Sequence, residues 1–137
     1  MKRPGVRVNV LIYKGNDILF MKKFSNKKLG DNTWSIPGGH VEMFEDLEFT
    51  VKRETVEEVG IKIKNLRFID ITNDIYRNIN KHYITVFFCA DYLSGVPRVM
   101  EPEKCREVKW INKNEIPKKL FLPVSQLYKK HKTLYFK

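Results

Sequence analysis

Glu54, Glu57 and Glu58 are the residues of this 137-residue chain whose types and spacing point most directly to chemistry. On a helix with about 100° per residue, the three side chains fall within roughly 100° of one another and share one face. Like charges at this spacing destabilise a helix by about a few tenths of a kcal/mol per pair, so a bound cation would stabilise the cluster. Taken alone, however, such a cluster is more often a solvated acidic face.

Arg53 decides which of these carboxylates stay free for a metal ion. It stands four residues before Glu57 and is expected to pair with it, which leaves Glu54 and Glu58 as the better metal ligands. Hard carboxylate oxygens select Mg²⁺ or Mn²⁺ over softer metals. The sequence therefore predicts a magnesium-binding helix face, with manganese as the other candidate.

The segment before the helix completes a longer pattern. The pair Gly38-Gly39 allows the backbone to turn tightly and approach a ligand. Glu45 follows Gly39 after five residues, and seven residues later the chain reads Arg53-Glu54-Thr55-Val56-Glu57-Glu58-Val59-Gly60-Ile61. This pattern resembles the Nudix box. A chance match to its Gly, Glu and Arg positions has a probability on the order of 10⁻⁷ at background residue frequencies, so the match favours metal binding over a solvated face.

Two residues depart from the usual box. Phe44 stands where the family usually has glycine, and Thr55 stands where a larger aliphatic residue is common. Because a phenylalanine at positive φ is strained, we expect the loop to avoid that conformation or to shift and displace Glu45. The helix carboxylates should be unaffected.

The resemblance continues outside the box and covers nearly the whole chain. The chain is similar to the MutT-related subgroup that contains the Nudix type 15 nucleotide diphosphatases. This implies an α/β fold of mixed α+β type, in which a mixed β-sheet is sandwiched between α-helices. It also implies a homodimer that hydrolyses nucleoside triphosphates to monophosphate and pyrophosphate. The matching segments are residues 3–6, 37–42, 82–85, 101–105 and 120–121.

The resemblance also implies roles for individual residues. Arg53 would orient the carboxylates. The general base would be Glu54 or a loop glutamate, Glu103 or Glu101, and the helix residue ranks above the loop. The expected metal ligands are box carboxylates and one glycine carbonyl oxygen: principally Glu54 and Glu58, then Glu57 and Glu45, and finally Gly38 or Gly39.

Candidate substrate-binding residues lie in and beyond the box. Lys22 and its neighbour Lys23 could meet phosphate oxygens, although lysine pairs in a basic chain are more often solvated. By resemblance, Thr85 and Phe121 lie around the nucleobase, and both also suit core packing. His40 could donate to a phosphate or be structural. The full set is Gly38, His40, Lys22, Thr85 and Phe121.

The carboxylates require a helix over residues 46–59. Leu47, Val51, Thr55 and Val59 recur every four residues, Asp46 suits the N-cap and Gly60 the stop. The remaining patterns predict a hairpin at 6–23, a loop at 24–32, a short strand at 34–36, strands at 61–72, 82–92 and 108–112, and a terminal helix at 120–132.

Composition limits the class of protein. With 42% hydrophobic and 31% charged residues and no internal boundary, residues 1–137 are expected to form a single domain. Two cysteines, Cys89 and Cys105, fit a reducing compartment, and no apolar run approaches the roughly 18 residues of a membrane span. We expect a cytoplasmic protein. Its net charge of +10 favours anionic partners.

Two other functions stay open at this point. The box positions only a diphosphate and metals, so ADP-ribose or another diphosphate-linked nucleotide could be the substrate. The net charge and the basic tail at 129–132 motivate an RNA-directed or non-catalytic nucleotide-binding protein. The intact box glutamates argue against lost catalysis, and a solvated tail is the commoner case, so nucleic acid is not the expected partner.

Overall fold

A computed structural model describes residues 2–25 and 29–137. Residues 26–28 of the predicted loop therefore lie outside the described residues. In the described part, the elements are β1 (Gly5–Lys14), β2 (Asp17–Lys23), β3 (Trp34–Ser35), β4 (Gly38–His40), α1 (Leu47–Val59), β5 (Lys62–Tyr76), a 3₁₀ turn (Arg77–Ile79), β6 (Lys81–Ser94), β7 (Cys105–Asn112) and α2 (Leu122–His131).

The described strands form one mixed sheet. Its main order is β3-β2-β1-β6-β5, while β4 pairs with β1 and β7 with β2. The β1–β6 pair is parallel and the others are antiparallel. The predicted hairpin of β1 and β2 is confirmed, and Gly15 in its turn has a φ of 60°. However, β1 and β2 pair only at this turn, because β4 takes the place beside residues 7–9.

Alternation along β1 builds a core on each face of the sheet. Val8 and Val10 belong to the core that includes Val51 and Val59 of α1. Leu11 and Tyr13 point the other way, into the core that includes residues 124 and 127 of α2. The sheet therefore lies between the two helices, as the family resemblance implies.

The helix that carries the glutamates follows its sequence signals closely. Asp46 is the N-cap with extended backbone, although its side chain makes no cap hydrogen bond. Gly60 ends the helix in a left-handed conformation with a φ of 71°, and its N–H donates to the Val56 carbonyl. Among the described residues, no helix is long and apolar enough to span a membrane.

Candidate active site

A cavity of about 760 Å³ lies against α1 and the strands that surround β4. Its carboxylates come mainly from the helix face predicted above, and include Glu54, Glu57 and Glu58. We call these three residues the carboxylate cluster. Its cations include three from separate strands, namely Arg7 of β1, Lys23 at the end of β2, and Lys81 at the start of β6. We call these three the cation cluster.

Arg53 holds the carboxylates in place. Its guanidinium makes a two-pronged contact with Glu45, at 2.8 Å from Nε and 2.9 Å from Nη2. Its Nη1 donates to Glu54 at 3.0 Å and to Glu57 at 3.1 Å. The planar fork of an arginine suits this arrangement better than a lysine ammonium does. The expected Arg53–Glu57 ion pair is therefore present, within a larger network.

Glu45 is anchored although the preceding residue is strained. Residues 42–45 form a tight turn in which the Glu45 N–H donates to the Glu42 carbonyl at 3.0 Å. Phe44 takes the third place of this turn with a φ of 70°, and its side chain is 99% exposed. The expectation that the loop avoids this conformation or displaces Glu45 is wrong. The side-chain hydrogen bonds from Arg53 hold Glu45 and lower its pKa to about 2.

Gly38 and Gly39 are needed because neighbouring atoms approach their backbone closely, and not because the chain turns there. Both glycines lie in the extended strand β4. A Cβ on Gly38 would lie 2.1 Å from the Val8 carbonyl oxygen, and one on Gly39 would lie 2.4 Å from Glu54 Cδ. The tight turn expected at this position is therefore absent, and glycine is required because the strand packs directly on β1 and on a carboxylate.

The two glycines present their backbone groups to opposite sides. Gly39 is paired with Val8 in the ladder with β1. Gly38 is the preceding residue of the strand, so its N–H and carbonyl point to the opposite side from those of Gly39. The Gly38 N–H donates to Glu58 Oε1 at 2.8 Å. The carbonyl of Gly38 consequently points away from β1 towards α1. Of the two carbonyl oxygens named from the sequence, that of Gly38 is the better placed to contact a ligand beside the helix.

Burial changes the electrostatics of both clusters. Desolvation raises the pKa of Glu58 to about 8, against the opposing Gly38 hydrogen bond, and burial also raises the pKa of Glu54. Desolvation, together with the nearby Arg7 charge, lowers the pKa of Lys23 to about 8. Charges of one sign thus crowd within each cluster, and a ligand of opposite sign would stabilise each of them.

Comparison with known proteins decides the family. The model of the NUDIX domain matches residues 3–131 of this chain. The chain belongs to the Nudix family. The structure of a MutT Nudix hydrolase from Burkholderia pseudomallei superposes with a TM-score of 0.84 and 25% identity, over 97% of this chain and 99% of that one. The predicted Nudix fold is thereby confirmed.

Two curated relatives are hydrolases of phosphoric anhydride bonds. The ADP-ribose pyrophosphatase of Methanocaldococcus jannaschii is 32% identical over 120 residues, which are 86% of this chain and 68% of that enzyme. The 8-oxo-dGTP diphosphatase of Buchnera aphidicola subsp. Schizaphis graminum is 31% identical over 86 residues, 63% of this chain and 65% of that enzyme. The chain spans about two thirds of the length of either relative. Its resemblance to the type 15 subgroup stays a prediction.

Nudix hydrolases generally need divalent metal ions, and the donor set here fits one. In the part of the chain that is described, no three His, Cys, Asp or Glu side chains converge as a ready-made metal cage. Mg²⁺ does not require such a cage, because it is commonly bound through one or two carboxylates, waters and substrate phosphates. Glu54 and Glu58, whose pKa values are raised by burial, suit this role since a divalent cation would offset the buried charge.

Several predicted residues lie outside the cavity lining. Lys22 and Lys23 point to different sides: the Lys22 ammonium lies over the Trp34 ring at 5.7 Å. Thr85 is fully buried, and its hydroxyl donates to Asp74. Phe121 is buried, and the Lys23 Nζ lies 4.5 Å from the centroid of its ring. Lys23 therefore occupies the cavity position that the sequence assigned to Lys22, because neighbouring strand residues face opposite ways.

The remaining predicted residues, the loop glutamates, His40 and Glu45, differ in whether they line the cavity. Glu101 lines the cavity, whereas Glu103 is exposed two residues further on. His40 lines the cavity, and burial together with the Arg7 charge lowers its pKa. Glu45 lies outside the lining, since Arg53 and the Thr50 hydroxyl hold its carboxylate. The catalytic roles proposed for these residues stay predictions.

Arg7 is the main site residue that sequence reasoning missed. Among the described residues it forms no ion pair, and its buried Nε has no hydrogen-bond partner. A charged residue on a central strand flanked by apolar residues is the signal that could have found it, because such a charge needs a partner.

Proposed function

We propose that this protein hydrolyses nucleoside triphosphates, canonical or oxidised, to nucleoside monophosphate and pyrophosphate with Mg²⁺. Mn²⁺ is the other suitable metal. The observation that carries the proposal is the presence of both the carboxylate cluster and the cation cluster in one cavity of about 760 Å³, which is within the range of nucleotide-sized sites.

The two clusters divide the work of binding a polyphosphate. Glu54 and Glu58 would hold the metal ion, with Glu57 in support and the Gly38 carbonyl beside them. When bound, the metal supplies charge neutralisation and lowers the pKa of water. Arg53 keeps the carboxylates oriented through its fork of hydrogen bonds.

The cation cluster would bind phosphate oxygens that the metal does not reach. Lys23 and Arg7 share the cavity with the carboxylates, and Arg7 forms no ion pair among the described residues while its buried Nε has no hydrogen-bond partner. A nucleoside triphosphate carries one phosphate more than ADP-ribose does. The cations therefore favour the triphosphate as substrate, because they would bind this additional phosphate. The proton of the attacking water would pass to Glu54 or to a loop glutamate, of which Glu101 lines the cavity.

ADP-ribose is the second candidate. It is favoured by the similarity to the ADP-ribose pyrophosphatase of Methanocaldococcus jannaschii. The carboxylate cluster would serve either substrate in the same way, since both contain a diphosphate.

Product analysis separates the two candidates. Purified protein is incubated with canonical and oxidised nucleoside triphosphates and with ADP-ribose, each with Mg²⁺ and with chelator, and the products are resolved by ion exchange. We expect monophosphate and pyrophosphate from a triphosphate, in Mg²⁺ only. Faster cleavage of ADP-ribose would replace the first candidate by the second. Absence of hydrolysis across the panel would reject both.

We also propose that the protein is a cytoplasmic homodimer of single-domain chains. The dimer follows from the resemblance to the type 15 subgroup. Both cysteines are free and buried in the structure, which fits a reducing compartment. Light scattering on the purified protein tests the dimer, and a mass near 16.3 kDa would contradict it.

A further inference from the structure

One face of the sheet is only partly covered by α1. In β6, Val86 and Phe88 belong to the core on the α1 side of the sheet. Their cross-strand partners in β5 are Ile71 and Phe68, which therefore point to the same side. Alternation along the strands places further residues on this side, as far as the end of β5. We call the uncovered part of this side the apolar face; it consists of Val6, Phe68, Ile71, Asn73, Ile75 and Ile84.

The apolar face exposes large side chains to solvent. Phe68 is 60% exposed and Ile71 49%, while Val6 is 43% and Ile75 41% exposed. At about 150–200 Å² per residue, these four side chains present roughly 350 Å² of apolar surface. Contiguous apolar patches of a few hundred Å² are the size that marks an interaction site on a monomer. The described part of the chain thus leaves a surface that a partner would cover.

Charge indicates the kind of partner. The chain carries a net charge of +10, so a second copy would be repelled over much of its surface. The apolar face is an exception, because it contains no Lys, Arg, Asp or Glu. Its polar member, Asn73, hydrogen-bonds to His82 of the neighbouring strand. Two copies can therefore meet at this face without placing its side chains in like-charge contact.

The size of the apolar face suits a two-fold dimer. Each copy contributes the same patch to a two-fold interface, so an apolar patch is complementary to itself. A standard interface buries about 800 Å² per partner, of which about 500 Å² is apolar in a homodimer. The four exposed side chains supply most of this area. Ile84, which is partly exposed and lies between Val6 and Asn73 in the sheet, adds to it.

We propose that two copies of this chain associate through the apolar face, with one sheet packed against the other around a two-fold axis. The inference deepens the homodimer proposed above, which rests on the family resemblance and has no surface assigned to it. No member of the apolar face lines the active-site cavity. Each chain therefore keeps a carboxylate cluster and a cation cluster of its own.

The first test measures association by sedimentation velocity over a range of protein concentrations. The face variant is Ile71→Glu with Ile75→Glu, and the matched control is Leu93→Glu with Val96→Glu, at exposed apolar residues outside the face. We expect the wild type and the control to sediment with twice the mass of 16.3 kDa. The face variant should stay monomeric at about 100 μM, because like charges would oppose each other across the two-fold axis.

A milder variant guards against loss of folding in the face variant. Ile71→Thr with Ile75→Thr keeps β-branched residues, which suit a strand. We expect it to raise the dissociation constant of the dimer by at least about 10-fold, because each lost apolar contact occurs twice in a two-fold interface. Thermal unfolding at a concentration where all proteins are monomeric checks that the fold is intact. An unchanged dissociation constant would overturn the proposal.

Cross-linking locates the interface without removing an apolar side chain. Asn73→Cys places a thiol within the apolar face, and Asn114→Cys places one at an exposed position outside it. Both native cysteines are buried, so the new thiol should react first. With a short bis-maleimide linker, we expect a covalent dimer from Asn73→Cys and monomer from Asn114→Cys. Equal cross-linking of the two variants would reject the apolar face as the interface.

The remaining outcomes separate this inference from the proposals above. A wild type with a mass near 16.3 kDa at every concentration would overturn both the apolar face and the homodimer. A dimer that persists in the face variant would reject the apolar face alone. A monomer that cosediments with phosphatidylcholine vesicles only when the face is intact would assign the face to a lipid surface instead. Nucleotide hydrolysis by the wild type is measured separately, and its absence would reject the proposed function while the masses still decide on the face.

Discussion

The carboxylate cluster and the cation cluster line the same cavity but are built in different ways. Glu54, Glu57 and Glu58 come from two turns of one helix, and Arg53 of that helix contacts two of them directly. The three cations come from three strands, β1, β2 and β6, and meet only because β1 lies near both neighbours in the sheet.

This difference determines how each cluster responds to change. Helix periodicity fixes the relative directions of the carboxylates locally, so a substitution alters one carboxylate and leaves the rest in place. The cations depend on strand register, and a shift of one residue in β2 would exchange Lys23 for Lys22 in the cavity. The geometry of the carboxylate cluster should thus be the more robust, and substitutions in this cluster should lower activity more than substitutions in the cation cluster.

The largest effect is expected from Glu58→Gln. The change removes the charge that we propose binds the metal, whereas the amide oxygen can still accept the hydrogen bond from the Gly38 N–H. We expect kcat to fall by about 10²- to 10³-fold with no loss of thermal stability. Turnover is measured as a function of Mg²⁺ concentration, and thermal unfolding provides the control. Unchanged turnover at limiting Mg²⁺ would show that Glu58 is not a ligand.

Gly39→Ala tests whether the backbone of β4 positions the carboxylate cluster. The new Cβ would lie 2.4 Å from Glu54 Cδ and would force this carboxylate to move. We expect kcat/KM to fall by about 10- to 100-fold, because the fold can persist while one ligand is misplaced. Gly15→Ala is the comparison variant: its Cβ meets nothing within 4 Å, and its φ of 60° makes the backbone cost of this replacement larger than that at Gly39, which lies in an extended strand. Equal activity losses in the two variants would indicate a general effect of glycine replacement.

The lysine pair of β2 tests the cation cluster. Lys23→Met should raise the KM for a nucleoside triphosphate by about 10-fold, as expected for loss of one charge-assisted hydrogen bond. Lys22→Met should change KM little, because the Lys22 ammonium lies over Trp34 rather than in the cavity. Steady-state kinetics on both variants measure the two KM values. A larger effect at Lys22 would favour the residue chosen from sequence and contradict the register seen here.

The smallest effect on activity is expected from Phe44→Gly in the turn that leads to the carboxylate cluster. Glycine relieves the positive φ and loses no packing, because the Phe44 side chain is 99% exposed. Stability should rise by about 1 kcal/mol, or about 3–5 °C in Tm, with kcat within about twofold. Phe44→Ala keeps the strain and should leave Tm unchanged. A gain in Tm of the same size with alanine would assign the effect to the side chain instead.

Much of the fold could be predicted because its signals are local. Alternation in β1 and the four-residue period of α1 both reflect burial of one face, and Gly60 ends the helix through its left-handed conformation. Local reasoning failed at Phe44. It treated the steric cost of positive φ as prohibitive, whereas the turn and the Arg53–Glu45 contacts outweigh that cost.

The sequence by itself determined the box, the helix that carries Glu54, Glu57 and Glu58, and the partner Arg53, because residues three or four apart on a helix must share a face. Only the tertiary structure decided that Lys23, Arg7 and Glu101 line the cavity while Lys22, Thr85 and Glu103 do not. Those positions depend on strand register and loop path, which arise from pairing between segments far apart in the chain and leave no short-range pattern in the sequence.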